Sequence, residues 1–422
     1  MDYRIFPPEK ILEANVSLPQ SKSIAARAII LDYLSGRVNT QTWCDDTDTI
    51  ARILRKDLPD DGSTIDVGPA GTAYRFLCAL CSASEGTECV LSGSERMLHR
   101  PIKPLVDALR ALGADIEYIG EEGLPPLKIK GRKLSGGTID IDATTSSQFV
   151  SALMLTAPLM IAPLTIRLVG NVQSMPYIRM TAEMMRARGV SIEYDRDKIE
   201  ISHASVLSAS SENIEPDWSA AAFWYEIAAL TAGWVTIKGL KKESLQGDRM
   251  MTELFERLGV ISEFTEDGVE LSATPDLYSL LDADLTDMPD AVPALVVTCC
   301  LAGIRFRLTG IGALHHKECD RIEALISEMA KLGCILDTEN YGTTLVWDGR
   351  RVPVTQLPVF DTYSDHRMAM ALAPVSVFVP GIVVKDIEVV SKSYPEYWAQ
   401  LEEAGFILSD ACTPLPDTEN ED

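Results

Sequence analysis

Two kinds of apolar pattern alternate along the chain. In the first, hydrophobic residues recur three and four positions apart, polar residues fill the places between, and a glycine ends the run. The copies are LVDALRALGADIEYI, TAEMMRARGVSIEYD, TELFERLGVISEFTEDGVELS, EALISEMAKLGCILD and WAQLEEAGFIL. That spacing predicts an amphipathic helix on a surface. The glycine predicts a cap that enters the left-handed region without a Cβ penalty, and a short strand, a polar turn and a second strand follow. Gly113, Gly189, Gly259, Gly333 and Gly405 are 76, 70, 74 and 72 residues apart, a near-constant period that marks a structural repeat. TDTIARILRKDLPDDGSTIDVG reads as a sixth, earlier and degenerate copy.

The second pattern is apolar nearly all round, which predicts a buried helix. Its copies are SIAARAIILDYL, TAYRFLCALCSA, SSQFVSALMLTA, WSAAAFWYEIAAL, AVPALVVTCCLA and HRMAMALAPVSVF, beginning near Ser23, Thr72, Ser146, Asp217, Asp290 and His366. The later starts are again 74, 71, 73 and 76 residues apart. The chain therefore reads as six units, each with one buried helix, one surface helix and several strands. Three units form one α/β globule and three the other, with a division near residue 215 and sheets covering the central helices.

Length and composition fit this picture. The 422 residues suit two or three domains, and 46% hydrophobic with 24% charged residues is the balance of a globular chain with a large core. The formal charge is 38 − 62 = −24, so a polyanion such as nucleic acid would be repelled by most of the surface. MDYRIFPPEK has no apolar run after a basic region and does not read as a leader. The uncharged stretches 143–166 and 368–384 each contain two prolines and read as buried helix plus loop rather than membrane spans. Nine unevenly spaced cysteines read as reduced thiols of a cytoplasmic protein. Cys78 and Cys81, at helical spacing in FLCALCSA, read as core. The acidic tail (Asp410, Asp417, Glu419, Glu421, Asp422) reads as solvated.

Against the acidic trend, cations gather where the buried helices begin. Lys22, Ser23 and Arg27, Gly71 and Thr72, Ser146, Ser147 and Gln148, Asp217 and Ser219, Asp290, and His366 with Arg367 all stand at or near such starts. A helix N-terminus leaves N–H groups without intrahelical partners and carries about half a positive charge, so it favours anions. Ser, Thr and Asp there are also ordinary caps, but capping does not call for Lys22, Arg27 or Arg367. Arg100, Lys317, Arg321 and Lys392 lie in loops of similar character. Together these cations suit a ligand pair carrying two phosphates and two carboxylates, about −5 to −6 in all. Walls so charged are expected to repel one another until anions enter. The sequence has no GxxxxGK[ST] loop, no HExxH, no Cys/His quartet and no GxSxG elbow, which leaves a metal or a nucleophile elbow without support.

PQSKSIAAR, VGPAGTAYR, ERMLHRPI, SSQF, SMPYIRMT, LQGD, DMPDA, KECDR, TYSDHRMAM and SKSYPEYW, in this order, closely resemble the 5-enolpyruvylshikimate-3-phosphate synthase family of enolpyruvyl transferases, from about Pro19 to Trp398. The resemblance implies an α/β fold of two similar globular domains, each of three βαβαββ-type repeats with buried helices, and an active site in the cleft between them. It implies two crossings between domains, which puts residues 1–19 with 216–422 in domain I and residues 20–215 in domain II. It implies transfer of the enolpyruvyl group of phosphoenolpyruvate to the 5-hydroxyl of shikimate 3-phosphate, with release of phosphate, on the shikimate pathway to chorismate and the aromatic amino acids. No metal or organic cofactor is implied, and the partners are these two small anions, met by a cytoplasmic monomer.

Carried over residue by residue, the phosphoenolpyruvate group is Lys22, Gly71, Arg100, Gln148, Arg321, Arg367 and Lys392. The shikimate 3-phosphate group is Lys22, Ser23, Arg27, Ser146, Ser147, Gln148, Ser174, Tyr177, Asp290 and Lys317. Glu318 and Lys22 are expected to move the proton at the enolpyruvyl carbon, and Asp290 to take the hydroxyl proton. Pro69, Ala26, Phe76 and Ala313 depart from the family's usual pattern, the first, second and fourth replacing common asparagines and the third a common proline. Two rival readings are a UDP-N-acetylglucosamine enolpyruvyl transferase, which usually has a cysteine in the loop matching RMLHRP and an asparagine after the first lysine, and a non-catalytic paralogue that only captures phosphorylated metabolites. This chain has no cysteine there, carries Ser23, and retains Lys22, Asp290 and Glu318.

Overall fold

The computed structural model describes residues 1–37, 44–144, 146–202, 207–208 and 214–412. Asp417, Glu419, Glu421 and Asp422 of the acidic tail lie outside them. All six apolar runs are interior helices: Lys22–Leu34, Gly71–Ala83, Ser147–Thr156, Trp218–Leu230, Val292–Ala302 and His366–Leu372. Two differ from the pattern's reading, and proline explains both. Pro289 opens a 3-10 turn, Pro289–Ala291, before Val292. At the other, Pro374 has no N–H to donate, so HRMAMALAPVSVF stops as an α-helix at Leu372 and continues as the 3-10 segment Ala373–Val377.

Six surface helices alternate with these: Asp45–Leu54, Lys103–Ala111, Met175–Arg186, Met251–Arg257, Arg321–Ala330 and Tyr397–Glu403. The five glycines expected to end the last five all have positive φ, between 77° and 98°. The first has no glycine cap, as its degenerate sequence implies.

The strands form five four-stranded sheets among the described residues, all with one order. In the clearest, Gly137–Asp142 lies parallel to Leu164–Val169, with the buried helix Ser147–Thr156 between them in sequence. Lys198–Ile201 and then Ile192–Tyr194 add antiparallel. Two sheets borrow strands from the start of the chain. Leu12–Val16 pairs parallel with Gly233–Lys238, and Tyr3–Phe6 sits between Ile382–Val384 and Ile407–Asp410. Leu12–Val16 thus completes the unit that follows the second crossing, and Tyr3–Phe6 completes the last one. The sixth sheet expected from six units is not formed among the described residues; Thr64–Asp66, at the end of the degenerate copy, joins the next unit's Glu88–Ser92.

Buried apolar residues form two separate cores. One draws on residues 24–214 and the other on 5–16 together with 218–406. The two passages between them run side by side. Gln20 and Pro216 form an antiparallel bridge, Ser21 N–H donates to the Glu215 carbonyl at 2.8 Å, and Asp217 N–H donates to the Pro19 carbonyl at 2.9 Å. All nine cysteines are free and only Cys412 is exposed, so Cys78 and Cys81 are core. No helix among the described residues is long and apolar enough to cross a membrane.

Candidate active site

The N-terminal ends of all six interior helices open onto one cleft between the cores, with an empty volume of about 1060 Å³. It brings together Lys22, Ser23, Arg27, Gly71, Arg100, Ser146, Ser147, Gln148, Ser174, Tyr177, Asp290, Lys317, Glu318, Arg321 and Arg367. Lys392 stands just behind, its Nζ 3.0 Å from Glu318 Oε1 and 3.3 Å from the Pro69 carbonyl. Every residue of the two expected ligand groups and the expected acid–base set therefore lies in or against one hollow.

Local structure explains how the wall of residues 20–215 presents its cations. Arg27, one turn into its helix, is buried and held by neutral oxygens: Nε donates to Thr181 Oγ1 at 2.7 Å, Nη2 to Ser151 Oγ at 3.0 Å, and Nη1 to the Ser23 carbonyl at 2.8 Å. Burial pushes its pKa down to about 10, which still leaves a cation at neutral pH. Its guanidinium lies 5.5 Å from the Phe76 ring centre, so this departure from the family pattern forms part of its support. Arg75 donates to Gln148 Oε1 at 2.8 Å, and Gln148 Nε2 donates to Thr72 Oγ1 at 2.9 Å. Gly71 leaves room for two guanidinium groups: a Cβ there would displace Arg100 Nη1 and fall 2.8 Å from Arg75 Nη1. Ser146 caps its helix through Gln148 N–H. Ser174 begins the next surface helix from the left-handed region, at φ 55°. Ala313 lines the cleft, and Ala26 packs in the core.

The opposite wall is neutralised from within. Asp290 Oδ1 accepts from Arg321 Nη1 at 2.8 Å and lies 3.4 Å from Lys317 Nζ, while Oδ2 accepts from Arg367 Nη2 at 3.0 Å. Glu318 pairs with Arg321 at 2.9 Å and with Lys392 at 3.0 Å, and Asp365 pairs with Arg321 at 2.7 Å. Burial alone would raise both carboxyl pKa values. For Asp290 the Arg367, Lys317 and Arg321 charges outweigh it, and for Glu318 those of Lys392, Arg321 and Arg100 do, so both are held well below the usual carboxylate range. On Lys22 burial pulls the other way, but Asp46, 3.1 Å from Nζ, and Glu318 more than offset it and the pKa is raised. In this state Lys22 is a proton donor and the two carboxylates are acceptors.

The expectation of walls that repel one another fails for this reason. Carboxylates interleave with the cations, and the walls are hydrogen-bonded: Ser174 N–H to the Thr286 carbonyl at 3.0 Å, Met175 N–H to Asp287 Oδ1 at 3.0 Å, Tyr177 OH to Asp248 Oδ2 at 3.3 Å. Asp248 also accepts from Ser219 Oγ, and burial beside Asp290 lifts its pKa to about 6. Asp217 is a true cap, accepting from Ser219 and Ala220 N–H, but its second oxygen also accepts Lys22 N–H at 3.1 Å across the crossing. Sequence reasoning missed Asp46, Arg75, Asp248 and Asp365. Asp365 had a signal, an aspartate standing directly before the helix start that it caps through Arg367 N–H. His366 is buried with neither ring nitrogen hydrogen-bonded among the described residues, although Nδ1 lies 3.5 Å from Asp365 Oδ1, and burial followed by the Lys22 and Arg367 charges pushes its pKa well down.

Comparison with known proteins agrees with this geometry. A family model described as EPSP synthase (3-phosphoshikimate 1-carboxyvinyltransferase) matches residues 40–401. A 3-phosphoshikimate 1-carboxyvinyltransferase of Bacteroides fragilis (strain YCH46) is 43% identical over 410 residues, which is 96% of this chain and 98% of that one. One of Aliivibrio salmonicida (strain LFI1238) is 33% identical over 434 residues, 96% of this chain and 99% of its own. A solved EPSP synthase from Acinetobacter baumannii shares the fold with a TM-score of 0.73 at 21% identity, covering 97% of this chain and all of that one. With the motifs, the paired cores and the cation-lined cleft in agreement, the chain belongs to the EPSP synthase (3-phosphoshikimate 1-carboxyvinyltransferase) family.

Proposed function

We propose that this cleft joins phosphoenolpyruvate to shikimate 3-phosphate and releases inorganic phosphate, the enolpyruvyl transfer that leads to chorismate and the aromatic amino acids. The observation that carries the reading is the meeting of Lys22, Arg27, Arg100, Lys317, Arg321, Arg367 and Lys392 from both halves around Asp290 and Glu318. Neither rival reading is favoured by the family match.

The chemistry asks for four events. A proton reaches the methylene carbon of the enol, the 5-hydroxyl oxygen attacks the adjacent carbon while losing its proton, the carbon–oxygen bond to phosphate breaks, and a methyl proton leaves to restore the double bond. Asp290 takes the hydroxyl proton, and Lys22 and Glu318 exchange the proton at carbon. Arg100, Arg321, Arg367 and Lys392, with Gly71 and Gln148, hold the enol's carboxylate and phosphate. Ser23, Arg27, Ser146, Ser147, Ser174, Tyr177 and Lys317 hold the sugar phosphate. The cations stabilise charge on the departing phosphate, fixed in place before reaction. When substrate anions take up these cations, Asp290 and Glu318 lose part of the field that depresses their pKa values, and their basicity rises where a base is needed.

The domain limits 1–19 plus 216–422 and 20–215 belong to the same proposal, supported by the two separate cores. So does a cytoplasmic monomer, supported by free thiols and by a cleft whose two walls come from one chain. The test is to mix the purified chain with both substrates and measure phosphate release. No release across a range of pH and salt would overturn the reading.

A further inference from the structure

We infer that Arg96, an exposed residue outside the ligand groups, is a clasp that sets Lys317 and Glu318 in register with the opposite wall. Its Nε donates to the Glu318 carbonyl at 2.9 Å and its Nη2 to the Lys317 carbonyl at 3.2 Å. These are the backbone oxygens of two successive residues whose side chains enter the cleft. Lys317 reaches Asp290, and Glu318 reaches Arg321 and Lys392. A planar guanidinium presents donors in a fixed fork, so one side chain fixes both position and orientation of the dipeptide.

The setting on each side favours such a clasp. Arg96 belongs to the short helix Glu95–Leu98, capped by Ser94 and anchored by the buried Met97. Arg100 follows one turn later, and its N–H donates to the Met97 carbonyl at 3.1 Å. One rigid turn thus sends Arg96 to the far wall's backbone and Arg100 into the cleft. On the far side, Lys317 and Glu318 lie in the irregular stretch between the 3-10 turn Gly312–His316 and the helix Arg321–Ala330. Ladder hydrogen bonds do not fix that stretch, so an external donor pair can.

Arg96 touches none of the reacting groups and is a positioning residue, acting through Lys317 and Glu318. Lys317 is assigned to the sugar phosphate and Glu318 to the proton at the enol carbon, so loss of the clasp weakens capture of shikimate 3-phosphate and slows turnover together. The inference rests on the proposed function for its kinetic arm and on geometry alone for its scattering arm.

The experiment compares the full chain with Arg96→Ala, Arg96→Lys and Arg96→Gln. In steady-state phosphate release, Arg96→Ala is expected to raise KM for shikimate 3-phosphate about tenfold and to lower kcat about tenfold. Arg96→Lys, which can serve one carbonyl, is expected to fall between it and wild type. Small-angle scattering of the ligand-free chain is expected to show a larger radius of gyration for Arg96→Ala, with an unchanged melting temperature. Unchanged KM for shikimate 3-phosphate or unchanged kcat overturns the clasp. A change confined to phosphoenolpyruvate also overturns it, because Arg96 would then act only through Arg100. A fall in kcat alone overturns it too, as does Arg96→Lys matching Arg96→Ala. If wild type releases no phosphate, the functional reading fails while an enlarged Arg96→Ala still supports the clasp and an unchanged radius sinks it. If Arg96→Ala does not fold, Arg96→Gln, which keeps one amide donor, is judged by the same limits.

Discussion

Replacing Asp290 by asparagine separates the two tasks assigned to that side chain. The amide keeps the shape and one accepting oxygen, but it removes the charge and places an NH2 donor among cationic donors. In the ligand-free chain three cations, Lys317, Arg321 and Arg367, share this carboxylate. Breaking a buried pair by removing one partner costs roughly 3–5 kcal/mol. Asp290 is 15% exposed and the amide keeps an acceptor, so about 3 kcal/mol is the better figure. At ~2–4 °C per kcal/mol for a domain of this size, the melting temperature should fall ~6–12 °C. The pH dependence has a definite sign. Because the folded pKa of Asp290 is depressed, its contribution is fully present above the ordinary value of 3.8 and is lost as pH falls through the folded value, so variant and wild type converge in acid. Anionic substrates supply the missing charge, and their stabilising effect should be larger in Asp290→Asn than in wild type. Turnover should nevertheless drop ~100-fold or more, because an amide cannot take the hydroxyl proton. Calorimetry with and without both substrates, beside a phosphate-release assay, reads both arms. Near-normal turnover would remove Asp290 from the base role, and an unchanged melting temperature would refute the charge argument.

Two further substitutions test other parts of the molecule. Gly71→Ala should fold, since Gly71 sits at an ordinary helix start, but its methyl must displace the Arg100 and Arg75 guanidinium groups; KM for phosphoenolpyruvate should rise ~10-fold with that for shikimate 3-phosphate little changed, and an effect on neither would show that the crowding is relieved at no cost. Glu226 is fully buried in the helix Trp218–Leu230, neither carboxyl oxygen has a partner among the described residues, and burial raises its pKa well above the carboxylate range. The folded chain therefore holds this proton while the unfolded chain releases it above about 4.5, so wild-type stability should decline as pH rises from there. Glu226→Met should remove that slope and gain ~1–3 kcal/mol at neutral pH by denaturant titration; equal stability of the two between pH 5 and 8 would sink the account.

What could be read from the sequence, and what could not, follows from contrast. The interior helices stood out because runs such as WSAAAFWYEIAAL have no polar face to offer solvent, and the surface helices because a glycine closes nearly every one. Lys22, Arg27, Arg100 and Arg367 stood out because the chain has only 38 basic residues against 62 acidic ones. The same excess hid Asp46 and Asp248, because one aspartate among so many carries no local mark of burial. Glu328 was hidden differently. Its place in EALISEMAKLG fits a polar face, yet it is buried, accepting from Lys331 Nζ, Tyr363 OH and Asp361 N–H. Two of these partners, Asp361 and Tyr363, come from a segment more than thirty residues away, and helical periodicity carries no information about them.

The carboxylates interleaved with the cations bear on how the cleft is expected to work. Lys317, Arg321, Arg367 and Lys392, all on one wall, are each paired with Asp290 or Glu318. On the other wall only Lys22 is paired, with Asp46, while Arg27 and Arg75 are held by neutral oxygens and Arg100 has no carboxylate within ion-pair distance among the described residues. A first anion thus meets its least contested cations on the wall of residues 20–215, where it displaces no carboxylate. A second anion must compete with Asp290 and Glu318 for the arginines of the far wall. In losing that competition the two carboxylates are freed from the charges that suppress their basicity. On the proposed roles, ligand capture and the arming of the bases are one electrostatic event, because Asp290 and Glu318 hold the cations that the substrate anions would take.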